Sequence, residues 1–266
     1  MRIKTGILVI SLITFAVAAA AQTSTFSRRS VWTGVYTAEQ AARGKVAYEK
    51  TCIRCHAANF EGIGDAELLG DFGPRFSLKG NEFMERWRED TASSLFTLIA
   101  GGMPPRNEPG RGAIETLNDQ TALDLIAYIF QGNGFPAGNN ELKLPELRSI
   151  RIQEKDGARA LPSFSTIQVV GCLAQLTPGV WELNNASEPI RVRDLHAPTN
   201  EELQEAQTEP LGSTAFDLQS LGYVGRDFRP LDFEGHKMMV KGVLIRQPPN
   251  IRVDVRSVVE VGPSCP

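Results

Sequence analysis

The stretch Cys52-Ile53-Arg54-Cys55-His56 constrains this chain more than any other. Two thiols about one helical turn apart, with an imidazole directly after the second, have the C-x-x-C-H spacing of covalent c-type haem attachment. Each thiol can add to one vinyl group of the same macrocycle, and the next side chain then lies beneath the iron. A neutral imidazole is a good iron ligand, and its second ring nitrogen normally donates to an acceptor that fixes its orientation. Cys52 and Cys55 are therefore read as the anchors of one haem c, and His56 as its proximal ligand. A redox C-x-x-C pair or half a zinc site competes with this reading. Neither calls for a histidine at that position, and no second cysteine pair follows at zinc-ribbon spacing.

Thioether-bound haem and disulfides both belong outside the reducing cytosol, and the N-terminus agrees. Residues 1–21 place Arg2 and Lys4 before a short apolar run that ends in Ala19-Ala20-Ala21, the pattern of a secretory signal peptide cleaved after Ala21. A retained anchor is the alternative, although the run is short for a membrane span and no later segment approaches spanning length. The expected compartment is the periplasm or the extracellular space. With 266 residues the chain can bury one large or two ordinary cores. Its formal charge of −3 leaves no general footprint for nucleic acid.

Residues 22–35 are polar and aperiodic and read as a flexible lead. Thr37-Ala38-Glu39-Gln40 is a capping-box signature, with Thr37 as N-cap and Gln40 reaching back, and it opens a helix to about Thr51 that delivers the cysteines. Gly44 and Tyr48 share a face of that helix, which points to close helix packing. Beyond His56, Gly62, Gly64, Gly70 and Gly73 suit a loop around the haem edge, with Leu68, Leu69 and Phe72 on its apolar side. Phe83 and Trp87 mark a short amphipathic helix with the aromatics inward. Leu95, Leu98 and Ile99 mark another, which runs into Gly101-Gly102-Met103-Pro104-Pro105. A final helix starts at Asn118 and buries Leu123, Ile126, Ala127 and Phe130.

A thioether is a soft ligand suited to haem iron, and Met103 projects from a stiff loop; it is read as the sixth ligand. Met84, within a helical segment, reads as core filling. A distant histidine, or a position left open, also competes for that role. His196 and His236 read as surface or turn residues.

These residues carry a resemblance. Residues 34–142 resemble class I c-type cytochromes in Gly44, Tyr48, Cys52, Cys55, His56, Gly102-Met103-Pro104 and Ala127-Tyr128-Ile129-Phe130. The pair Arg86-Trp87 and the run Asn133-Gly134-Phe135-Pro136-Ala137-Gly138 look like the monohaem cytochromes that accompany periplasmic quinoprotein dehydrogenases. The resemblance implies an all-α haem domain over residues 36–138. The family usually has a proline soon after the haem motif whose carbonyl accepts the proximal N–H; here Gly64 is followed by Asp65-Ala66, and a carbonyl near Asp65 would have to serve.

Residues 139–165 mix charges and prolines without periodicity and read as a linker. From Thr166 the period becomes two. Met238, Val240 and Leu244 alternate with Lys241 and Arg246, and Ile251, Val253 and Val255 alternate with charged residues, each marking a strand; further strands are expected at 166–173, 180–183 and 215–218. Gly171 and Gly242 fall inside strands, where glycine marks a sharp bend. Residues 166–266 are thus expected to form a small barrel or sandwich, similar to secreted OB-like domains in Gly171-Cys172-Leu173 and Gly235-His236-Lys237. Cys172 and Cys265 are expected to form a disulfide in an oxidising compartment; otherwise both are buried thiols.

The predicted fold class is thus multidomain α plus β, an all-α class I cytochrome c domain followed by a small all-β OB-like barrel. The expected function is electron transfer without catalysis, with redox partner proteins such as a quinoprotein dehydrogenase, a terminal oxidase or another cytochrome. A permanently bound haem subunit of a dehydrogenase is the second reading, and a haem sensor or peroxidase the third.

Overall fold

The computed structural model describes residues 28–62, 77–104, 117–225 and 227–265. In chain order these hold β1 (Arg29–Ser30), α1 (Ala38–Thr51), α2 (Ile53–His56), α3 (Gly80–Trp87), α4 (Ala92–Gly102), α5 (Asp119–Gly132) and β2 (Ile150–Arg151). A sheet-rich half follows, with β3 (Thr166–Thr177), β4 (Val180–Ala186), β5 (Ile190–Arg191), α6 (Asn200–Thr208), β6 (Thr214–Gln219), β7 (Lys237–Gln247) and β8 (Asn250–Gly262). Among the described residues no helix is long and apolar enough to cross a membrane. The expected signal peptide and the start of the lead, 1–27, lie outside the described residues.

The long helices begin where short polar side chains can occupy the open N–H groups of the first turn. Thr37, Thr91 and Asn118 accept from the amides of Gln40, Ser94 and Thr121. The box expected at Thr37 is only half formed. Gln40 is fully buried and, instead of reaching back, exchanges two hydrogen bonds with the backbone of Leu142, at 3.1 and 2.7 Å.

Helix α5 is the centre of the helical core, packed by α1 on one side and α4 on another, so residues all round it are buried, from Ala122 to Phe130. The crossing with α1 is at Gly44. A Cβ there would stand 1.8 Å from the carbonyl oxygen of Asp124, so only glycine admits this approach. Arg43 locks the crossing through a two-pronged pair with Asp124, both contacts at 3.0 Å, and also reaches Glu141.

Two segments differ from their expected character. Residues 28–35 of the expected flexible lead contribute β1, which pairs in parallel with β2, and bury Val31 and Val35. The expected linker, 139–165, forms a 3-10 turn at Leu144–Ser149 and then β2, and it seals the helical core with Leu142, Leu147, Ile150 and Ile152. These side chains turn inward from an irregular strap, so their burial leaves no period in the sequence.

In the sheet, β3 pairs with β7 and β5 along its first half and with β4 along its second. With β4–β6, a parallel β6–β8 pair and β8–β7, the pairings run β3-β4-β6-β8-β7 and return to β3. Gly171 lies within β3, where a Cβ would be 2.7 Å from Leu183 and 2.8 Å from the Asn184 carbonyl. Gly242 adjoins an irregularity in the β7–β8 register. The face expected to point Lys241 to water is instead covered by α6, and buried Lys241 pairs with Glu202 at 3.0 Å. Thr199 and Glu202 open α6 with a complete capping box, and this helix was not among the expected elements although its T-x-x-E signature stands in the sequence. Cys172 and Cys265 form the expected disulfide, with Cα atoms 5.8 Å apart.

The two halves are bolted together at the α3–α4 corner. Arg193 Nε lies 2.7 Å from Asp90 Oδ2, its guanidinium covers the Trp87 ring at 4.4 Å, and it also donates to the Arg86 carbonyl. Arg191 donates to the carbonyls of Glu85 and Arg86 at the end of α3, where cations are favoured. Backbone bonds continue the joint, from Arg191 to Glu89, Glu89 to Ile152 and Ile152 to Asp90. Buried Glu89, at a φ of 62°, accepts from the Arg159 amide and from Gln153.

Gly44→Ala must push α5 away from α1, and about 1–3 kcal/mol of stability should be lost, read as a lower midpoint in urea. At the corner, burial raises the Asp90 carboxyl above its ordinary value, against the pull of Arg193. A carboxyl raised in the folded state costs stability once pH climbs through its folded pKa, and the cost disappears as acid protonates it. Arg193→Gln removes the opposing cation, so about 1–3 kcal/mol should be lost at pH 7, with a smaller loss at lower pH and partial rescue by Asp90→Asn. A loss independent of pH and untouched by the second substitution would show that Asp90 is not involved.

Candidate haem-attachment site

Helix α1 ends where the motif begins. Cys52 closes α1, its amide donating to the Tyr48 carbonyl at 2.8 Å, and also caps α2. The amides of Cys55 and His56 both fold back to the Cys52 carbonyl, at 3.1 and 3.0 Å, and Ala57 donates to Ile53 at 2.9 Å. One tight turn therefore carries both thiols and the imidazole. Cys52, Cys55 and His56 are all half-buried, which leaves each side chain reachable at the surface of the helical core. The chain leaves the turn through Ala57, at a φ of 54°.

Aromatic packing fixes that exit. Buried Tyr48 donates its hydroxyl to the Ala57 carbonyl at 2.8 Å. Desolvation pushes the Tyr48 phenol up, with Cys52 and Tyr128 adding to the shift, so it stays a neutral donor. Phe60 stands 4.7 Å from the Tyr48 ring and 4.9 Å from that of Tyr128, while the two tyrosines are 5.4 Å apart. Gly132 of α5 makes room for Phe60, since a Cβ there would lie 2.6 Å from its ring. The Phe60 carbonyl accepts the Leu78 amide at 2.8 Å, and Asn133 donates to the Leu78 carbonyl at 2.8 Å. The helix packing expected of Tyr48 is present. Its bond to Ala57 and the role of Phe60 are not foreseeable from sequence, because a loop contact has no period.

Met103 stands on a different element. It terminates α4 in an extended conformation, half-buried, with its amide donating to Ile99 at 3.2 Å. The structure thus gathers Cys52, Cys55 and His56 on one turn and links Met103 to them through α5, the helix on which both α1 and α4 pack. Met84 packs against the helical core, in keeping with a filling role. His196 is 93% exposed by side chain, and His236 pairs with Glu260 at 2.9 Å. Both lie in the sheet-rich half. The expected haem-edge loop with Leu68, Leu69 and Phe72, and the carbonyl near Asp65, fall outside the described residues.

The donor set fits a covalently held haem. Two thiols three residues apart lie on one half-buried turn, an imidazole follows at once, and Met103, a soft thioether, stands at the end of α4. No curated protein and no solved structure matches the chain. Residues 41–132, the stretch that contains most of α1, the cysteine turn, Met103 and α5, match the family model for Cytochrome c, which supports a c-type cytochrome domain there.

Proposed function

We propose that this protein is an exported, periplasmic electron carrier holding one haem c, covalently attached through Cys52 and Cys55 and ligated by His56 and Met103. The observation that carries this reading is the single turn that presents both thiols and the imidazole together, within a stretch matching the cytochrome c family. When bound, the haem supplies a one-electron ferrous/ferric couple, without bond making in a substrate. The chain's own part is to hold and tune. Tyr48 and Phe60 keep the turn closed, and the thioether of Met103 would favour the reduced state. With His56 and Met103 as its ligands the iron would have no open position, which argues for transfer over peroxide or oxygen chemistry and for small transient contacts with redox proteins. A quinoprotein dehydrogenase as donor fits the Arg86-Trp87 and 133–138 likeness.

The sheet is best described as an OB-like barrel. That assignment is supported by five strands paired in a ring with one parallel pair, and by the close packing that Gly171 and Gly242 permit within their strands. Its place is beside the haem domain as a fixed support.

Attachment is tested by acid-acetone extraction of the denatured holoprotein. The haem colour should stay on the polypeptide, and Cys52→Ala with Cys55→Ala should release it; complete extraction from the unaltered chain would overturn covalent binding. For the sixth ligand, Met103→Ala should abolish the weak near-infrared sulfur-to-iron band, lower the potential and admit carbon monoxide. Survival of the band there, with its loss in Met84→Ala, would transfer the role to Met84.

A further inference from the structure

Between α4 and the outer face of the sheet lies a cleft of about 620 Å³ that the electron-transfer reading does not use. It falls within the range of small-molecule sites, which are commonly found where two structural units meet. Gln168 of β3 lies on its wall, 96% buried. Its side-chain amide makes no hydrogen bond among the described residues and is not one of the sealed, unpaired polar groups, so it stays open to the cleft. That amide can accept from and donate to a ligand in the cleft.

The remaining walls define the ligand. Leu98, Ile190 and Val192 form an apolar surface, and Thr97 of α4 offers a hydroxyl. The charge is cationic on balance. Of the arginines lining the cleft, Arg28 is paired with Glu209, Arg148 with Glu205 and Arg193 with Asp90, while Glu202 is held by Lys241. Arg191 is satisfied only by the carbonyls that end α3, and exposed Arg86 has no carboxylate partner among the described residues. The Arg191 pKa is lowered first by burial and then by neighbouring Arg193, against the pull of Asp90 and Glu89. Asp194, the nearby acid outside those pairs, accepts from the His196 amide and lies exposed. An incoming anion relieves this imbalance, and an apolar body covers Leu98 and Val192.

We infer that this cleft binds a small organic anion with an apolar or aromatic body and one carboxylate, its head held by Gln168 and the Arg86–Arg191 edge. The site is separate from the haem turn and does not depend on the proposed ligation of iron.

The test is calorimetric titration of the full holoprotein with 2-naphthoate, with uncharged 2-naphthalenemethanol and inorganic phosphate as comparisons. 2-Naphthoate should bind at one site, the alcohol at least about tenfold more weakly, and phosphate not measurably. Gln168→Leu and Arg86→Gln should each weaken 2-naphthoate about five- to tenfold. Arg86 is exposed, so its variant keeps the test decisive if Gln168→Leu fails to fold. Absence of saturable 2-naphthoate binding, or binding unchanged in Arg86→Gln, would overturn the site. Equal binding of the alcohol would overturn the anion, and equal binding of phosphate would overturn the apolar body.

Discussion

The placement of the sheet depends on one joint, in which Arg193 spans from β5's end to Asp90 and Trp87 at the α3–α4 corner. The Asp90 carboxylate is completely buried and Glu89 nearly so. Burying such groups costs free energy unless each oxygen finds a donor. Here Arg193 of the far half donates to one Asp90 oxygen while the Thr91 amide donates to the other, and Arg159, Gln153 and Arg151 of the strap donate to Glu89. Asp90 Oδ2 gains its Arg193 donor only when the halves are together, and this ties α4, whose far end bears Met103, to the sheet.

A second constraint acts inside the helical half. Gly44 lets α1 lie against the Asp124 carbonyl, and this close approach brings Tyr48 beside Tyr128 and Phe60. From there the Tyr48 hydroxyl reaches Ala57 and closes the cysteine turn. A missing methyl group in one helix thus sets the geometry of the next. The crossing also explains why α5 is apolar nearly all round, since it supports the cysteine side through α1 and the methionine side through α4.

Much of this architecture is legible in the amino-acid sequence. C-x-x-C-H names the turn, because its chemistry requires that spacing, and Thr37 and Asn118 mark helix starts through local hydrogen bonding. Strands β3, β4, β6, β7 and β8 are visible from their alternation. What escapes is everything held by irregular backbone. The strap at 139–165 buries Leu142, Leu147, Ile150 and Ile152 at uneven spacing, so by period it resembles a linker. Gln40 reads as part of its own helix end because local signatures involve only near neighbours, whereas its partner Leu142 is about a hundred residues away. Lys241 reads as facing water because alternation reports two faces and cannot say that α6 covers one of them.

The chemistry of the joint also explains why it is polar. Apolar contact is non-directional, so two greasy faces of similar area can slide past each other at little cost. Hydrogen-bonded charges close in one register, and an offset at the joint would take Arg193 away from the buried Asp90 Oδ2. Such a joint adds less net stability than an apolar one of the same size, since desolvation offsets much of the attraction. It adds definition instead. A chain that carries a haem on one half gains from this, because the sheet then presents a fixed surface beside the cytochrome domain, and every partner that meets one half meets the other at the same angle.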